Sequence, residues 1–267
     1  MVHSQNSEGA SLIKKLLSAV KLEQPNKVHI ILQQILSQKI DLDSKDEQGY
    51  AALHYAVELN NLTIIESLLG ASARVNTTNF YLETPLHIAV IQKNNSEIVK
   101  LLLKAGGQLD AEDQDKNIAL QCAIKQRNNT ETIKLLVLKT SNINHQNRYG
   151  DTALHYAALY NNIDNFKLLV ANRADFNIRS KQFGDTPLEL AINRIAKNIR
   201  WSAIKQHQPE IPITQFIKEQ LIKCLEFQGP FLQFLNDTTG NLGNEDIRNI
   251  FSSLTLSGNN VDEHEQS

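Results

Sequence analysis

The thirteen residues GDTALHYAALYNN, at positions 150–162, have a near copy in the same chain, GYAALHYAVELNN at 49–61. Their central motif occurs five times, as AALHYA (51–56), TPLHIA (84–89), IALQCA (118–123), TALHYA (152–157) and TPLELA (186–191). The leucines of these motifs, Leu53, Leu86, Leu120, Leu154 and Leu188, are spaced by 33, 34, 34 and 34 residues. Self-similarity at a period of about 20–50 residues is typical of proteins built from stacked repeats.

A second apolar segment follows the motif, for example IIESLL at 64–69 and IVKLLL at 98–103, and VHIILQQIL at 28–36 matches it one repeat earlier. Both segments carry apolar residues at helical spacing, so each repeat is predicted to contain two helices of about ten residues. Helices of that length are unstable alone, but paired and stacked helices bury a continuous apolar layer. The sequence therefore predicts an all-α repeat solenoid.

The motif and its period resemble those of the ankyrin repeat, whose signature is T-P-L-H-x-A at a period near 33. ETPLHIAV followed by NNSEIVKLLLKAGGQLDAED is a close match, whereas the third repeat has Ile118 and Gln121 in place of the threonine and histidine. The resemblance covers residues 43–192. It implies helix-turn-helix repeats linked by β-hairpin fingers, and a concave surface of fingers and inner helices that binds proteins.

The resemblance divides the chain into four parts. Residues 1–42 are predicted to be N-terminal capping helices or a degenerate repeat, and 43–192 to be five ankyrin-like repeats. Residues 193–256 are predicted to form a helical C-terminal cap or a small module, because a solenoid needs end units with polar outer faces. Residues 257–267 are acidic and predicted to be disordered.

That acidic C-terminus resembles the secretion signals of some bacterial effectors. The alternative interpretation is therefore a secreted effector whose module at 193–256 carries a separate activity, with the repeats as a targeting arm. About 65 residues without a catalytic motif argue against a complete catalytic domain there.

Asparagine pairs recur at 60–61, 94–95, 128–129 and 161–162, between the two helices of each repeat. Asparagine tolerates the left-handed backbone that ends a helix, and the next asparagine can cap the following helix. We therefore predict a turn-and-cap role for these pairs. The glycosylation motifs at 61–63 and 128–130 would matter only in a secreted protein.

His54, His87 and His155 occupy one repeat position, and stacking would place them in a row about 10 Å apart. That separation is too large for a shared zinc ion, whose ligands lie at about 2 Å. The resemblance implies instead that this histidine links neighbouring fingers by hydrogen bonds. Cys122 and Cys224 lie on apolar helix faces and are predicted to be packed side chains rather than nucleophiles.

No catalytic or nucleotide-binding signature is present, so we predict a non-enzymatic protein without cofactor or metal. The 267 residues are 41% hydrophobic with a formal net charge of −2, which argues against general affinity for nucleic acid or membranes. No apolar run approaches the roughly 20 residues needed to span a bilayer, and no secretory signal is evident at the N-terminus. We expect a cytoplasmic monomer, or an effector delivered into a host cell, that binds another protein; a scaffold for a homo-oligomer is a third interpretation.

The repeat register indicates which positions would contact a partner. Four of the six tyrosines fall on finger tips or the exposed ends of inner helices, and aromatic residues are common interface anchors. Alternatively, these rings lie on neighbouring fingers and stabilise the stack. The patch has two apolar ends and a polar centre. The predicted protein-binding residues are Tyr50, Leu59, Phe80, Tyr81, Ile91, Asp115, Lys125, Arg148, Tyr149, Asp151, Leu159, Tyr160 and Phe183.

Overall fold

The computed structural model describes residues 2–92, 96–127, 130–160, 162–175, 177–182, 184–187 and 189–190, and only the backbone for 2–8 and Ile163. The segment 193–256, the acidic tail, Cys224 and Phe183 lie outside these residues. Ten α-helices lie within them: α1 Val2–Lys21, α2 Pro25–Ser37, α3 Ala52–Glu58, α4 Leu62–Gly70, α5 Pro85–Ile91, α6 Ser96–Lys104, α7 Ala119–Lys125, α8 Thr130–Lys139, α9 Ala153–Leu159 and α10 Ile163–Ala171.

The helices form two rows of a solenoid. Helices α3, α5, α7 and α9 pack side by side in an inner row, and each contacts the next helix in the chain, which belongs to an outer row. In that outer row α2 packs on α4, α6 on α8, and α8 on α10. At the N-terminus α1 packs on α2 and α3, and so covers the first repeat. The predicted helical repeat solenoid is confirmed.

The repeated motif supplies the core between the rows. Its leucine and final alanine are buried in the first four repeats, and fully burying one leucine contributes about 1.5–3 kcal/mol. The alanine permits close approach of neighbouring inner helices because its side chain is small. These core residues are Leu53, Leu86, Leu120 and Leu154, with Ala56, Ala89, Ala123 and Ala157.

The fingers are tight turns at 46–50, 79–83, 113–117 and 147–151. In each one the first residue is Asp or Asn, and its side-chain Oδ1 accepts the backbone N–H groups two and four residues further on, at 2.8–3.0 Å. Its own N–H donates to the carbonyl of the fifth residue, which closes the finger. No β-strand occurs in the described part of the chain, because each finger is too short for a ladder. These first residues are Asp46, Asn79, Asp113 and Asn147.

Backbone hydrogen bonds of 2.8 Å join consecutive fingers. Gln114 N–H donates to the Tyr81 carbonyl, and equivalent bonds run from Arg148 to Asp115 and from Lys181 to Tyr149. The stack of fingers is therefore held by main-chain contacts as well as by the helices beneath it.

The inter-helix turns confirm the asparagine prediction in the first repeat. Asn60 has a left-handed backbone, with φ of +57°, and the Asn61 Oδ1 accepts the Ile64 N–H at 3.1 Å. Asn162 likewise caps α10 through the Asn165 N–H, at 3.0 Å.

In the third repeat a left-handed residue already precedes the asparagine pair. The left-handed residue that follows α7 is Arg127, with φ of +54°. The Asn-Asn pair lies one residue later relative to the motif leucine there than in the first repeat, so it does not coincide with the helix end. The pairs at 94–95 and 128–129, and Asn161, lie outside the described residues.

Candidate protein-binding surface

The row of histidines holds each inner helix to the next finger. In His54, His87 and His155 the Nδ1 atom accepts the backbone N–H of the residue before the helix, at 3.1–3.3 Å. The Nε2–H group donates to a carbonyl of the following finger. These carbonyls belong to Glu83, Asn117 and Asp185, at 3.3, 3.2 and 3.2 Å. The structural role implied by the sequence is confirmed.

Gln121 makes the same two contacts in the third repeat. Its Oε1 accepts the Ile118 N–H at 3.0 Å, and its Nε2 donates to the Asp151 carbonyl at 2.8 Å. The residue that departs from the repeat pattern therefore keeps its function, because an amide offers an acceptor and a donor at the required positions.

These histidines are neutral structural groups. Burial lowers the pKa of His54, His87 and His155. The N–H that faces each Nδ1 also requires that atom to be unprotonated. Within the described ranges, no three His, Cys, Asp or Glu side chains are placed to hold a metal ion.

Cys122 is buried, and burial raises the pKa of its thiol. Its Sγ lies 3.7 Å from Asp113 Oδ2, at the base of the third finger. The thiol is therefore a packed, protonated group, as predicted, since a reactive cysteine requires a stabilised thiolate.

A groove of about 350 Å³ lies across the first three fingers and the ends of α5 and α7; we call it the central groove. Its walls combine two tyrosine rings, three carboxylates and one lysine. It brings together five of the predicted contact residues, Tyr50, Tyr81, Ile91, Asp115 and Lys125. The remaining lining residues are Glu83, Asp113, Gln114, Asn117, Cys122 and Gln126.

The carboxylate of Glu83 is half-buried in the central groove. Burial, together with the charges of Asp113 and Glu58, raises its pKa, and one hydrogen bond of 2.7 Å from Asn79 Nδ2 opposes that effect. Asp115, by contrast, lies 3.5 Å from an Arg148 guanidinium nitrogen.

The model of the family described as "Ankyrin repeats (3 copies)" matches residues 16–113, 86–180 and 120–201, which together span more than half of the chain. The chain belongs to the ankyrin-repeat family. Ankyrin repeats are in general non-enzymatic modules of protein–protein interaction.

A solved structure, the ankyrin repeat domain of Bcl-3, described as a unique member of the IkappaB protein family, matches with a TM-score of 0.62. The match covers 70% of this chain and 85% of that one, at 22% sequence identity, which supports the shared fold alone. A comparison with curated proteins found no match. No helix in the described ranges is long and apolar enough to cross a membrane.

On this ankyrin-repeat stack, the aromatic residues chosen from the sequence fall into two groups. Phe80, Tyr81 and Tyr149 lie on finger tips, with 67%, 54% and 39% of their surface exposed, and the Phe80 ring lies close to Gly49 of the first finger. Leu82, which sequence reasoning missed, is 50% exposed beside them. Phe80, Tyr81 and Leu82 are consecutive and form what we call the aromatic tip of the second finger.

The second group packs within its own ankyrin repeat. The Tyr50 ring lies 5.0 Å from the Tyr55 ring, and the Tyr160 ring is stacked on Tyr156 at 6.4 Å with Arg127 above it. Both rings thus pack on a helix of their own repeat, and Tyr160 also on Arg127 of the preceding one, rather than on a neighbouring finger as the stacking interpretation predicted. Among the other predicted residues, Lys125 and Arg148 are exposed, and Leu59, Ile91, Asp115, Asp151 and Leu159 are half-buried.

Proposed function

We propose that this ankyrin-repeat protein is a non-enzymatic adaptor that binds a protein partner along its concave surface. The aromatic tip supplies the anchors on one side of the central groove, and Tyr149 supplies another two fingers away. We further propose that it acts as a monomer in the cytoplasm.

The observation that carries the proposal is the exposure of three consecutive large apolar side chains, Phe80, Tyr81 and Leu82. Single exposed apolar residues are ordinary, but a contiguous exposed patch is typical of an interaction surface. Tyrosine and phenylalanine at such positions lose water on docking, and this is how interface anchors contribute affinity. The groove beside the tip offers polar groups that would orient the partner.

The test is a triple variant, Phe80→Ala, Tyr81→Ala and Tyr149→Ala, used to capture a partner and then to measure its affinity. The loss of three anchors should weaken binding at least 100-fold, because a hot-spot residue contributes about 2 kcal/mol and tenfold corresponds to about 1.4 kcal/mol. The melting temperature should change by no more than a few degrees, because all three rings are exposed.

The matched control is Leu138→Ala. Leu138 is 72% exposed on the outer helix α8, so its removal tests the loss of an exposed apolar side chain away from the concave surface. Equal affinity of the triple variant and the wild type would count against the proposal. A large fall in melting temperature with binding intact would favour the stacking interpretation for these rings.

The alternative function is a secreted effector with an activity in residues 193–256, which lie outside the described residues. Removal of 193–267 separates the two interpretations. Capture that survives the removal supports the adaptor. Loss of a cellular effect while capture continues supports a separate activity.

A further inference from the structure

The central groove combines aromatic walls with an excess of negative charge. Its lining includes the carboxylates of Glu83, Asp113 and Asp115 but only one ammonium group, that of Lys125. The rings of Tyr50 and Tyr81 line the same space. Aromatic faces attract cations, and a partly desolvated carboxylate strengthens that attraction.

The three carboxylates are not equivalent. The carboxylate of Asp113 is already hydrogen-bonded within the third finger. Its Oδ1 accepts two backbone N–H groups, and its Oδ2 accepts a hydrogen bond from the Asn117 amide at 3.1 Å. Asp115 faces Arg148. Glu83 has one neutral hydrogen bond, from Asn79, and within the described ranges no lysine or arginine forms an ion pair with it.

Other enclosed carboxylates of this chain show what Glu83 lacks. Asp43 is buried, and its Oδ2 accepts a bond of 2.8 Å from the Arg74 guanidinium. Asp46 is paired with Lys21 at 3.4 Å and with the Tyr55 hydroxyl at 2.6 Å. A partly buried carboxylate without a counter-ion is unfavourable, and the arrival of a cation relieves that cost.

We propose that the central groove binds a cationic side chain, arginine or lysine, from a basic segment of the protein partner, with Glu83 as its counter-ion. This inference deepens the proposed function and rests on it. Asp113 adds attraction at longer range, and Tyr50 and Tyr81 flank the cation. The segment then continues over the aromatic tip.

The size of the central groove fits such an occupant. At about 350 Å³ it lies near the lower end of the range of roughly 300–1,000 Å³ found for small-molecule pockets. That space accommodates one long side chain and its hydrogen-bonding neighbours. A phosphorylated or acidic segment would meet like charges, so the electrostatics favour a basic one.

The experiment is a titration of the isotope-labelled full chain, followed by the chemical shifts of its backbone amides. The probes are the N-acetyl, N-methylamide derivatives of arginine and lysine, and that of norleucine serves as a neutral control. We expect at least one cationic probe to give saturable shifts at residues 83 and 113–117, with Kd on the order of 1 mM for a ligand of this size. The norleucine derivative should give no saturable shifts.

The variant Glu83→Gln should weaken binding of the cationic probe at least tenfold. It should not lower the melting temperature, because glutamine has the shape of glutamate and can still accept the hydrogen bond from Asn79. Glu66→Gln, on the exposed side of the outer helix α4, is the matched control and should bind as the wild type does. Norleucine binding as tightly as arginine and lysine, or Glu83→Gln leaving Kd unchanged, would overturn the inference.

The outcomes also separate this inference from the proposed function. If the cationic probes fail while the Phe80, Tyr81 and Tyr149 triple variant still loses its partner, the cation site is wrong and the docking surface stands. If the probes bind while the triple variant keeps its partner, the docking surface is wrong and the cation site stands.

Discussion

Single residues in the fingers determine how closely consecutive repeats approach each other. Gly49 and Gly150 have φ of +78°, and a Cβ on Gly150 would lie 2.5 Å from the Lys181 backbone nitrogen. Lys181 N–H donates to the Tyr149 carbonyl in the preceding finger. A side chain at position 150 would therefore disrupt a hydrogen bond between fingers in addition to straining its own backbone.

Gly150→Ala and Gly184→Ala separate these two effects. Gly184 has a similar φ of +74°, but a Cβ there would have no neighbour within 4 Å among the described residues. We expect Gly184→Ala to cost about 1–2 kcal/mol, from left-handed strain alone. Gly150→Ala should cost about 1–3 kcal/mol more, because it also clashes with the backbone and breaks a buried contact. Urea denaturation measures both values, and equal costs would contradict the contact between fingers.

Residue identity predicts some of these roles but not others. The repeat pattern predicts the role of the histidines. It marks Gln121 as a departure because the residue type differs, although the Gln121 amide makes both hydrogen bonds. The Asp or Asn at the start of each finger was missed. Asp46, Asn79 and Asp113 recur at the repeat period, and a side chain that accepts backbone N–H groups in turns is a known preference of these residues.

At the scale of helices, the turn within the first repeat depends on two asparagines with separate roles. Asn60 supplies the left-handed residue that ends α3, and Asn61 caps α4. Asn61 Nδ2 also donates to the Glu23 Oε2 at 3.1 Å, which ties this turn to the loop between α1 and α2.

Substitutions at the two positions should therefore have different effects on the free energy of unfolding. Asn61→Ala should cost about 1 kcal/mol through loss of the cap. Asn60→Gly should be neutral or slightly stabilising, because glycine adopts a positive φ without strain, whereas Asn60→Ala should cost about 1–2 kcal/mol. Chemical denaturation of the three variants checks this order. An Asn60→Gly variant less stable than Asn60→Ala would show that the turn is not left-handed.

The sequence predicted the existence of this turn but not its position in every repeat. The spacing from the motif leucine to the asparagine pair differs by one residue between the first and third repeats. A helix ends where its backbone leaves the right-handed region, and after α7 that change occurs at Arg127. Two adjacent asparagines alone do not determine which residue of a turn is left-handed.

Across the whole molecule, the histidine row makes stability depend on pH. The unfolded histidines have a pKa of about 6.5, and burial lowers it in the folded chain. The unfolded state therefore binds more protons as pH falls below about 6.5, and the free energy of unfolding decreases until the lower folded pKa values are passed. The stabilising contribution is fully present above the unfolded pKa.

The chain itself provides the matched substitution, since Gln121 performs this role without titrating in that range. When the pH is lowered from 7.5 to 5, the melting temperature of a variant with His54→Gln, His87→Gln and His155→Gln should fall by less than that of the wild type. At pH 7.5 its melting temperature should be close to that of the wild type, because glutamine can form both hydrogen bonds. An unchanged pH dependence would mean that the row does not carry it.

The solenoid was predictable from the sequence because the repeated motif and the apolar segment that follows it share one period. The surface was less predictable, because the exposure of a ring depends on its neighbours. Tyr81 and Tyr160 were both chosen by register, yet Tyr81 projects into solvent while Tyr160 stacks on Tyr156. That no lysine or arginine of the described residues pairs with Glu83 is likewise a property of side chains that meet only in the folded stack.

The most direct test of a concave docking surface is photo-crosslinking from the intact chain. The photoreactive residue p-benzoylphenylalanine replaces Tyr81 in one variant and Leu138 on the outer helix α8 in another. Both positions are exposed, so each can reach a bound protein. We predict that a discrete partner is crosslinked from position 81 and not from position 138; crosslinking of the partner from position 138 alone would contradict the concave surface as the site of binding.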